Sequence, residues 1–372
     1  MLNKPVKILQ CYRTFFPESQ GGVEQVILEV ARLTGGEVLT LASSSVGEGH
    51  FGGVAYSSAK RWFSLASCCV GPGMLRLLNK KSPDLLHFHF PWPFGDLVYL
   101  LAGSSRPLVI TYHSDVVRQR FLGALYRPLM KRFFARADRI VATSQNYVES
   151  SEILKDYRHK TEVIPLGISE SGYPRPSDEA LASVEERFGR DFMLFVGVLR
   201  YYKGLEFLVR AALGQPYRIV IAGSGPEEAR LKALAVDLGI DNVIFAGFVD
   251  EVEKMALFQL CRATVFPSHI RSEAFGVTLL EGLMCGKPLI SCEIGTGTSY
   301  VNQHEETGYV VPPADPDSLR DAMSTLWHNP EKAVLMGHKG RQRYERLFTG
   351  ERMATAYARL YESVLSERRE TN

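Results

Sequence analysis

The chain has 372 residues and a mass of 41.6 kDa, a length that favours two domains over one or three. Hydrophobic residues make up 45% and charged residues 23%, which excludes a disordered chain, a collagen-like repeat and a coiled coil. The net charge is +2, no apolar run approaches the ~20 residues of a membrane-spanning helix, and no secretory leader pattern opens the sequence, so we expect a cytoplasmic globular protein.

The first half of the chain alternates short β-rich runs with helical patterns. Helices are predicted over Val23–Leu33 and Leu122–Arg136. Short apolar strands that alternate with helices are typical of a parallel sheet covered by helices on both faces. The predicted strands are Val6–Cys11, Glu37–Ala42, Asp84–His89, Leu108–His113, Arg139–Thr143 and Glu162–Pro165.

A second alternating series follows in the other half of the chain. Its predicted strands are Phe192–Gly197, Arg218–Ala222, Val243–Ala246, Thr264–Phe266, Pro288–Ser291 and Tyr309–Val311. Its predicted helices are Gly204–Ala212, Pro226–Leu238, Val252–Cys261 and Val277–Cys285.

The segment Gly167–Pro176 separates the two series and, with two glycines and two prolines, is predicted to be a linker. The sequence therefore predicts an α/β fold of two doubly wound, Rossmann-like domains facing a central cleft. They span residues 1–168 and 177–345, and residues 346–372 form a helix that we expect to return to the first domain. Because ligands of such folds bind beyond the carboxyl ends of the strands, residues that directly follow strands are the functional candidates.

In the first domain, two features follow strands. The adjacent glycines Gly21 and Gly22 precede a helix, where backbone N–H groups can approach an anion; the alternative is a flexible turn. His113 ends the fourth predicted strand in the sequence Thr-Tyr-His-Ser-Asp, a polar group that suits a cleft. A hydrogen-bonded structural histidine is an equal alternative.

In the second domain, Arg200 and Lys203 follow the first strand, where two cations suit a diphosphate or are simply solvated. A stronger signal is the pair Glu273 and Glu281, because Glu281 falls two turns into an otherwise apolar helix. Sugar or ribose hydroxyls would supply the partner that a buried carboxylate needs. Phosphate would suit the free N–H groups at the start of that helix, which belong to Phe275, Gly276 and Val277.

These residues closely resemble the signature of the retaining glycosyltransferases of family 4, which have the two-domain GT-B fold. The resemblance covers nearly the whole chain in the family's order. Its motifs are Gly21-Gly22-Val23-Glu24, His113, Lys203-Gly204, Gly223-Ser224-Gly225-Pro226, Gly247-Phe248-Val249, Pro267-Ser268, Ser272-Glu273-Ala274-Phe275-Gly276, Glu281 to Pro288, and Glu306-Thr307-Gly308 with Val311-Pro312-Pro313.

The resemblance implies a role for each candidate. Glu273 and His113 would contact the transferred sugar, Glu281 the nucleotide ribose, and Arg200, Lys203 and Gly22 the diphosphate. The segment Phe248-Val249 would border the base. The family pattern has Arg directly after the glycine of the first strand, a place that Val198 takes here, so Arg200 is expected to replace it. The residues expected to bind the donor are Gly21, Gly22, Arg200, Lys203, Gly223, Phe248, Val249, Phe275, Gly276, Val277 and Glu281.

Competing readings are weaker. Asp315-Pro316-Asp317 has the D-x-D spacing of metal-dependent transferases but precedes a predicted helix, where Asp is expected as a cap, so we expect no metal and no cofactor. Neither Gly223-Ser-Gly225 nor Gly295-Thr-Gly297 has the third glycine of a dinucleotide fingerprint, which argues against a dehydrogenase. A nucleotide-sugar epimerase of the same fold and a non-enzymatic binding module stay open.

Donor and acceptor are predicted from two further features. The segment from Gly295 to Gln303 resembles mannosyltransferases that build bacterial O-polysaccharide from GDP-mannose; a UDP-hexose is the alternative donor. The stretch Val117–Arg139 is basic and amphipathic, which indicates either contact with an anionic membrane surface or a solvated helix face. We expect a lipid-linked saccharide acceptor at the inner face of the cytoplasmic membrane, reached with Phe121 or Phe133 inserted, and no nucleic-acid partner.

Overall fold

A computed structural model describes residues 6–44, 46–65, 68–115 and 120–371 of the chain. It divides the chain into two compact units. Unit 1 comprises Met1–Gly167 and Gly350–Asn372, and unit 2 comprises Ile168–Thr349. Within the described residues, no helix is both long and apolar enough to cross a membrane.

Unit 1 is built on an eight-stranded sheet, in which all pairings except β3 with β4 are parallel. Its strand order is β10-β9-β8-β7-β1-β2-β4-β3, and β5 and β6 form a separate hairpin. The strands are β1 (Ile8–Cys11), β2 (Glu37–Ala42), β3 (Gly47–Phe51), β4 (Val54–Lys60), β5 (Phe63–Leu65), β6 (Cys68–Val70), β7 (Leu85–Phe90), β8 (Leu108–Tyr112), β9 (Arg139–Ala142) and β10 (Thr161–Val163).

The six strands predicted for this half are all present, but the four strands between Gly47 and Val70 were missed. Burial explains why β3 was missed. β1, β7 and β8 are buried at every position and are mostly apolar, whereas β3 is exposed or half-buried throughout and carries two glycines. An edge strand of that composition has little hydrophobic pattern to detect.

In the described residues of unit 1, five helices connect the strands. α1 begins at the predicted glycine pair, with Gly21 as its N-cap, and ends at Gly35 in the left-handed conformation. The helices are α1 (Gly22–Thr34), α2 (Gly73–Lys81), α3 (Pro93–Ala102), α4 (Arg120–Arg136) and α5 (Gln145–Ser150), and a 3-10 turn spans Leu154–Lys160.

The basic helix α4 packs one face into unit 1. Phe133 is fully buried and meets the rings of Phe88 and Tyr99 edge to face, with centroids 5.6 Å and 5.5 Å away. The expectation that Phe133 inserts into a membrane is therefore wrong, because its ring is already part of the core. Arg118 of the predicted basic stretch lies outside the described residues, as do the side chains of Arg120 and Phe121.

Unit 2 is built on a six-stranded parallel sheet with the order β13-β12-β11-β14-β15-β16. Each strand falls on a predicted one to within one or two residues at its ends. They are β11 (Met193–Val196), β12 (Ile219–Ala222), β13 (Val243–Gly247), β14 (Ala263–Phe266), β15 (Leu289–Cys292) and β16 (Gly308–Val311). This is the doubly wound order of a nucleotide-binding domain.

The helices of unit 2 cover both faces of this sheet, as the alternating sequence pattern predicts. They are α6 (Asp178–Phe188), α7 (Leu205–Ala211), α8 (Glu228–Asp237), α9 (Glu251–Leu260), α10 (Val277–Met284), α11 (Gly297–Val301), α12 (Pro316–His328) and α13 (Pro330–Leu347). Two short 3-10 turns cover Glu170–Gly172 and Tyr201–Lys203.

Most of the predicted linker belongs to unit 2. Ile168 forms a parallel bridge with Thr349, and its carbonyl accepts a 2.8 Å hydrogen bond from Tyr344 Oη. These contacts bind the start of the predicted linker, so all of Gly167–Pro176 except Gly167 lies in unit 2. The last helix, α14 (Gly350–Thr371), belongs to unit 1 and packs against α1 there.

Candidate active site

The strand order of the unit 2 sheet reverses between β11 and β14. β11 pairs with β12 on one side and with β14 on the other, so the connections that leave β11 and β14 run to opposite halves of the sheet. In open α/β sheets the crevice at such a switch point, beyond the carboxyl ends of the strands, is where ligands bind. Arg200 and Lys203 follow β11, and Glu273 follows β14, so the sheet order brings these predicted residues to one edge.

Gly204 allows the loops after β11 and β14 to approach closely. Its φ angle is +67°, and a Cβ atom built there would lie 2.0 Å from the carbonyl oxygen of Pro267. Any other residue would have to push the two loops apart. This close approach explains why Lys203 is directly followed by a glycine, and it holds Lys203 beside the loop that carries Glu273.

Lys203 and Glu273 form an ion pair. Lys203 Nζ donates to Glu273 Oε2 at 2.5 Å, and Ser268 Oγ donates to the same oxygen at 3.2 Å. Each of the two charged side chains is only 12% exposed, and Lys203 Nζ lies 4.5 Å from the ring centroid of Phe266. Burial, followed by the Glu273 carboxylate, raises the pKa of the neighbouring Tyr202 to about 12, so its phenol stays neutral.

The start of α10 lies beside this pair. Gly276 is the N-cap with φ +87°, and a Cβ there would meet the Phe266 ring at 2.9 Å. The ring of Phe275 is buried and packs edge to face on Phe348, so Phe275 offers a ligand its backbone rather than its side chain. The first N–H groups of α10 therefore begin next to Lys203 and Glu273 without a side-chain cap.

Glu281 is 5% exposed and has protein partners. Lys254 Nζ on α9 donates to Glu281 Oε1 at 2.8 Å and also pairs with Glu251 at 2.9 Å. Burial lowers the pKa of Lys254, but the two carboxylates outweigh it and raise that pKa above its usual value. Tyr173 also hydrogen-bonds to Glu281, and burial and the carboxylate raise its pKa well above 10. The buried Glu281 carboxylate was predicted to need a partner, and Lys254 and Tyr173 of unit 2 supply part of that need.

The remaining candidates of unit 2 lie at the same edge. Gly223 directly follows β12, and its N–H donates to the carbonyl of Gly247 at 2.7 Å, which connects the loops after β12 and β13. Phe248 follows at once and is 81% exposed, and Val249 is half-buried. Arg200 is exposed, and it precedes the 3-10 turn that carries Lys203.

In unit 1 the corresponding switch point lies between β1 and β7. Gly21 and Gly22, both exposed, follow β1 at the start of α1. The loop before them is held by Glu24, a buried residue that accepts hydrogen bonds from Thr14 Oγ1 at 2.7 Å and Ser19 Oγ at 2.9 Å. The glycine pair is therefore the end of an anchored loop.

His113 directly follows β8 and is 6% exposed. Its Nε2 lies 2.9 Å from His89 Nδ1, and the two rings stack with centroids 5.1 Å apart. Burial, and then the positive charge of Arg13, lower the pKa of His113 to about 3, so the ring is neutral at physiological pH. The histidine is hydrogen-bonded and also lies at the carboxyl end of β8, so the two alternatives drawn from the sequence are not exclusive.

Comparison with known proteins assigns the chain to a family. Residues 20–171 match the family model Glycosyltransferase Family 4, and residues 177–343 match Glycosyl transferases group 1. The D-rhamnosyltransferase WbpZ of Pseudomonas aeruginosa is 48% identical over 356 residues, which cover 92% of each chain. The chain is a family 4 glycosyltransferase. The O-antigen chain mannosyltransferase C of Escherichia coli is 43% identical to this glycosyltransferase, over 98% of this chain and 100% of the relative.

Solved structures confirm the GT-B fold that the sequence of the glycosyltransferase predicts. Sucrose-phosphate synthase from Thermosynechococcus elongatus has a TM-score of 0.78 at 21% identity, covering 97% of this chain and 100% of that one. The Anabaena protein HepE in complex with UDP-glucose has a TM-score of 0.77 at 19% identity, covering 96% and 99%. At these identities the likeness concerns the fold alone.

The D-x-D sequence of this glycosyltransferase has a structural role. Asp315 is the N-cap of α12, and its Oδ1 accepts from the N–H groups of Asp317 and Ser318 at 3.0 Å and 3.1 Å. This confirms the interpretation of Asp315 as a helix cap. Throughout the described part of the chain, no group of three or more acidic, His or Cys side chains is arranged to hold a metal ion.

Sequence reasoning missed the residues that hold the candidates in place. They are Ser268 beside Glu273, Lys254 and Tyr173 beside Glu281, and Gln10 and His89 beside His113. Ser268 lies within the matched motif and could have been singled out from it. A signal for Gln10 and His89 was also present, because a polar residue inside a fully buried strand requires a partner.

Proposed function

We propose that this glycosyltransferase is a retaining hexosyltransferase that moves a mannosyl group from GDP-mannose to a lipid-linked or growing glycan in bacterial surface-polysaccharide synthesis. The observation that carries the proposal is the match, over nearly the whole of both chains, to an O-antigen chain mannosyltransferase. The 48% identical relative is a D-rhamnosyltransferase, and D-rhamnose is 6-deoxymannose, so both names point to a sugar of the manno series. GDP-D-rhamnose is the second candidate donor.

The donor-binding roles follow from the edge of unit 2. Lys203 has three N–H donors, so it can keep Glu273 and still bind a diphosphate oxygen. Arg200 and the first N–H groups of α10, from Phe275, Gly276 and Val277, would bind the same diphosphate. Glu281 would accept from the ribose hydroxyls and Phe248-Val249 would border the base, with Gly223 in the adjoining loop.

The candidate residues of unit 1 have proposed roles of their own. Gly21 and Gly22 would place backbone N–H groups against the diphosphate at the start of α1. His113, neutral and slightly exposed, would contact a hydroxyl of the transferred sugar. Glu273 would lie beside the reacting carbon of that sugar.

The proposed chemistry breaks the bond between the anomeric carbon and the diphosphate oxygen. The bonding electrons stay on the diphosphate, where Lys203, Arg200 and the α10 N–H groups stabilise the developing negative charge. Positive charge develops on the sugar, as in glycoside hydrolysis, and Glu273 stabilises it. The acceptor hydroxyl attacks on the same face and its proton passes to the leaving phosphate, which gives retention without an enzyme nucleophile. In this scheme protein cations supply the positive charge.

A donor screen tests this function. The purified enzyme is mixed with GDP-mannose, GDP-D-rhamnose and UDP-hexoses in buffer containing EDTA, and binding and nucleotide diphosphate release are measured. We expect GDP-mannose to bind and to release GDP with the chelator present. Use of a UDP-hexose alone would contradict the donor assignment, and an epimerised sugar without nucleotide release would indicate an epimerase. Activity that requires added Mg²⁺ or Mn²⁺ would exclude the metal-independent mechanism.

We also propose that α4 carries the enzyme to an anionic membrane surface where its acceptor lies. Its described side chains divide by face, since Phe133 and Phe134 are fully buried whereas the cations point outward. Each cation near an anionic surface contributes ~1 kcal/mol of binding free energy. Among the described side chains of α4, the exposed cations are Arg127, Lys131, Arg132 and Arg136.

Vesicle binding tests the role of α4. We expect the enzyme to bind phosphatidylglycerol vesicles at low salt and to detach as salt rises, because the Debye length falls to ~3 Å at 1 M. Replacing the four exposed α4 cations with Ser should abolish binding and leave the affinity for GDP-mannose unchanged. The control variant replaces four exposed cations of unit 2 with Ser, and it should still bind: Arg190, Lys232, Lys332 and Arg346. If the wild type ignores these vesicles at low salt, α4 is a solvated face.

A further inference from the structure

A row of polar side chains crosses the buried sheet of unit 1. Gln10 lies on β1, His87 and His89 lie two residues apart on β7, and Thr111 lies on β8. Since successive strand residues point to opposite faces, His87 and His89 share one face of the sheet. All four side chains are at most 1% exposed. Burying polar groups this deeply costs free energy unless they form hydrogen bonds, so we first identify the hydrogen-bond partners of these side chains.

Two separate hydrogen-bonded sets make up the row. In the first, His87 bonds to Tyr361 Oη at 2.8 Å and to Thr111 Oγ1 at 2.7 Å, so it is tied to α14. In the second, His89 Nε2 lies 2.9 Å from Gln10 Oε1, and His89 Nδ1 lies 2.9 Å from His113 Nε2. The second set ends at the candidate sugar-contacting residue.

The direction of the second set follows from the orientation of the Gln10 amide, whose Oε1 faces His89. A carbonyl oxygen only accepts, so His89 Nε2 carries a proton and donates to Gln10 Oε1. Burial lowers the pKa of His89 well below its usual value, so this neutral ring has no second proton and its Nδ1 accepts. His113 Nε2 must then donate to His89 Nδ1. Because the pKa of His113 is also lowered, its own Nδ1 is left unprotonated.

His113 Nδ1 is free to meet a ligand. Within the described residues it has no hydrogen-bond partner, and it is not among the unpaired side-chain atoms that are fully buried. The 6% of His113 that stays exposed therefore includes this nitrogen. A lone pair in that position is an acceptor for a hydroxyl O–H.

We propose that Gln10 and His89 are positioning residues that hold His113 as the Nε2–H tautomer, so that its Nδ1 accepts a hydrogen bond from a hydroxyl of the transferred sugar. The sugar contact rests on the proposed function of His113; the tautomer rests on unit 1 alone. The opposite amide orientation of Gln10 would reverse both hydrogen bonds and put the proton on His113 Nδ1. The two directions thus predict opposite polarities at the nitrogen that the sugar meets.

Nitrogen NMR of the full-length, ligand-free enzyme tests the tautomer without any substrate. The protein is labelled with ¹⁵N-histidine, and a two-bond ¹H–¹⁵N correlation spectrum distinguishes protonated from unprotonated ring nitrogens. The signals are assigned with His113→Gln and His89→Gln variants. We expect both rings to be neutral and protonated at Nε2. A proton on His113 Nδ1, or two protons on either ring, would overturn the proposal.

Two matched variants test the positioning role. Gln10→Met removes the acceptor at the end of the set, so His113 should populate both tautomers and kcat/KM for GDP-mannose should fall about tenfold, the scale of one hydrogen bond. Thr111→Val removes a polar group from the same face but only from the His87 set; it should leave the His113 signals unchanged and the rate within about twofold. Both are compared at a temperature where circular dichroism shows them folded.

The outcomes separate the two claims. If Gln10→Met keeps a single Nε2–H tautomer and the wild-type rate, Gln10 does not position His113 and the proposal fails. If His113→Phe leaves turnover of GDP-mannose unchanged, the sugar contact fails, and with it the role of His113 in the proposed function. The tautomer is tested separately, by the NMR spectrum of the wild type, and does not depend on that result.

Discussion

Replacing Glu273 with alanine is expected to lower kcat by at least ~10²-fold, with a smaller change in the KM for donor. The carboxylate is placed by Lys203 and Ser268 beside the α10 N-terminus, where the proposed reaction develops charge. An interaction that strengthens in the transition state appears in kcat, and preorganised electrostatic groups of this kind contribute factors of this size. Steady-state kinetics with GDP-mannose and the acceptor measure the effect.

The chain offers a matched control for this variant. Glu306 also forms an ion pair with a lysine, Lys339, at 2.7 Å, but its side chain is 59% exposed and lies outside the proposed site. Glu306→Ala should therefore keep wild-type kinetics, because an exposed pair contributes little. Turnover near the wild-type rate in Glu273→Ala would refute the role assigned to Glu273.

Replacing Glu281 with alanine is expected to act on donor binding and on stability together. The ribose contact is similar in the ground and transition states, so KM for GDP-mannose should rise about tenfold with little change in kcat. The variant also leaves Lys254, only 13% exposed, without its buried partner. Removing one member of a buried pair costs ~3 kcal/mol or more, and we expect the low end because Glu251 remains. Donor titration and urea unfolding measure the two effects.

A second substitution separates these effects. In the Glu281→Ala, Lys254→Met double variant the unpaired cation is gone, so the free energy of unfolding should recover most of its loss. Donor affinity should stay low, because the carboxylate that contacts ribose is still absent. Recovery of donor affinity together with stability would show that Glu281 serves unit 2 as a structural residue only.

The order of the secondary structure could be predicted from the sequence over most of the chain. Parallel strands that are buried on both faces are short apolar runs, which can be found in a sequence. Every strand of unit 2 begins and ends within one or two residues of the predicted strand. The edge of unit 1 could not be predicted in this way, since β3 is a polar, glycine-containing strand that an antiparallel partner stabilises. Phe133 shows the same limit: its spacing fits an amphipathic helix, but which side of α4 is buried depends on the sheet beneath it.

For the site, the sequence by itself determined which residues to consider, because chemistry-bearing side chains that directly follow buried strands are few and their spacing matches a family motif. Only the tertiary structure decided their partners. Lys203 meets Glu273 across 70 residues, Lys254 meets Glu281 across 27, and Gln10 meets His89 across 79. Such pairs depend on which strands are neighbours and in what register, and strand order is set by the packing of whole sheets and helices, a property that no local segment encodes.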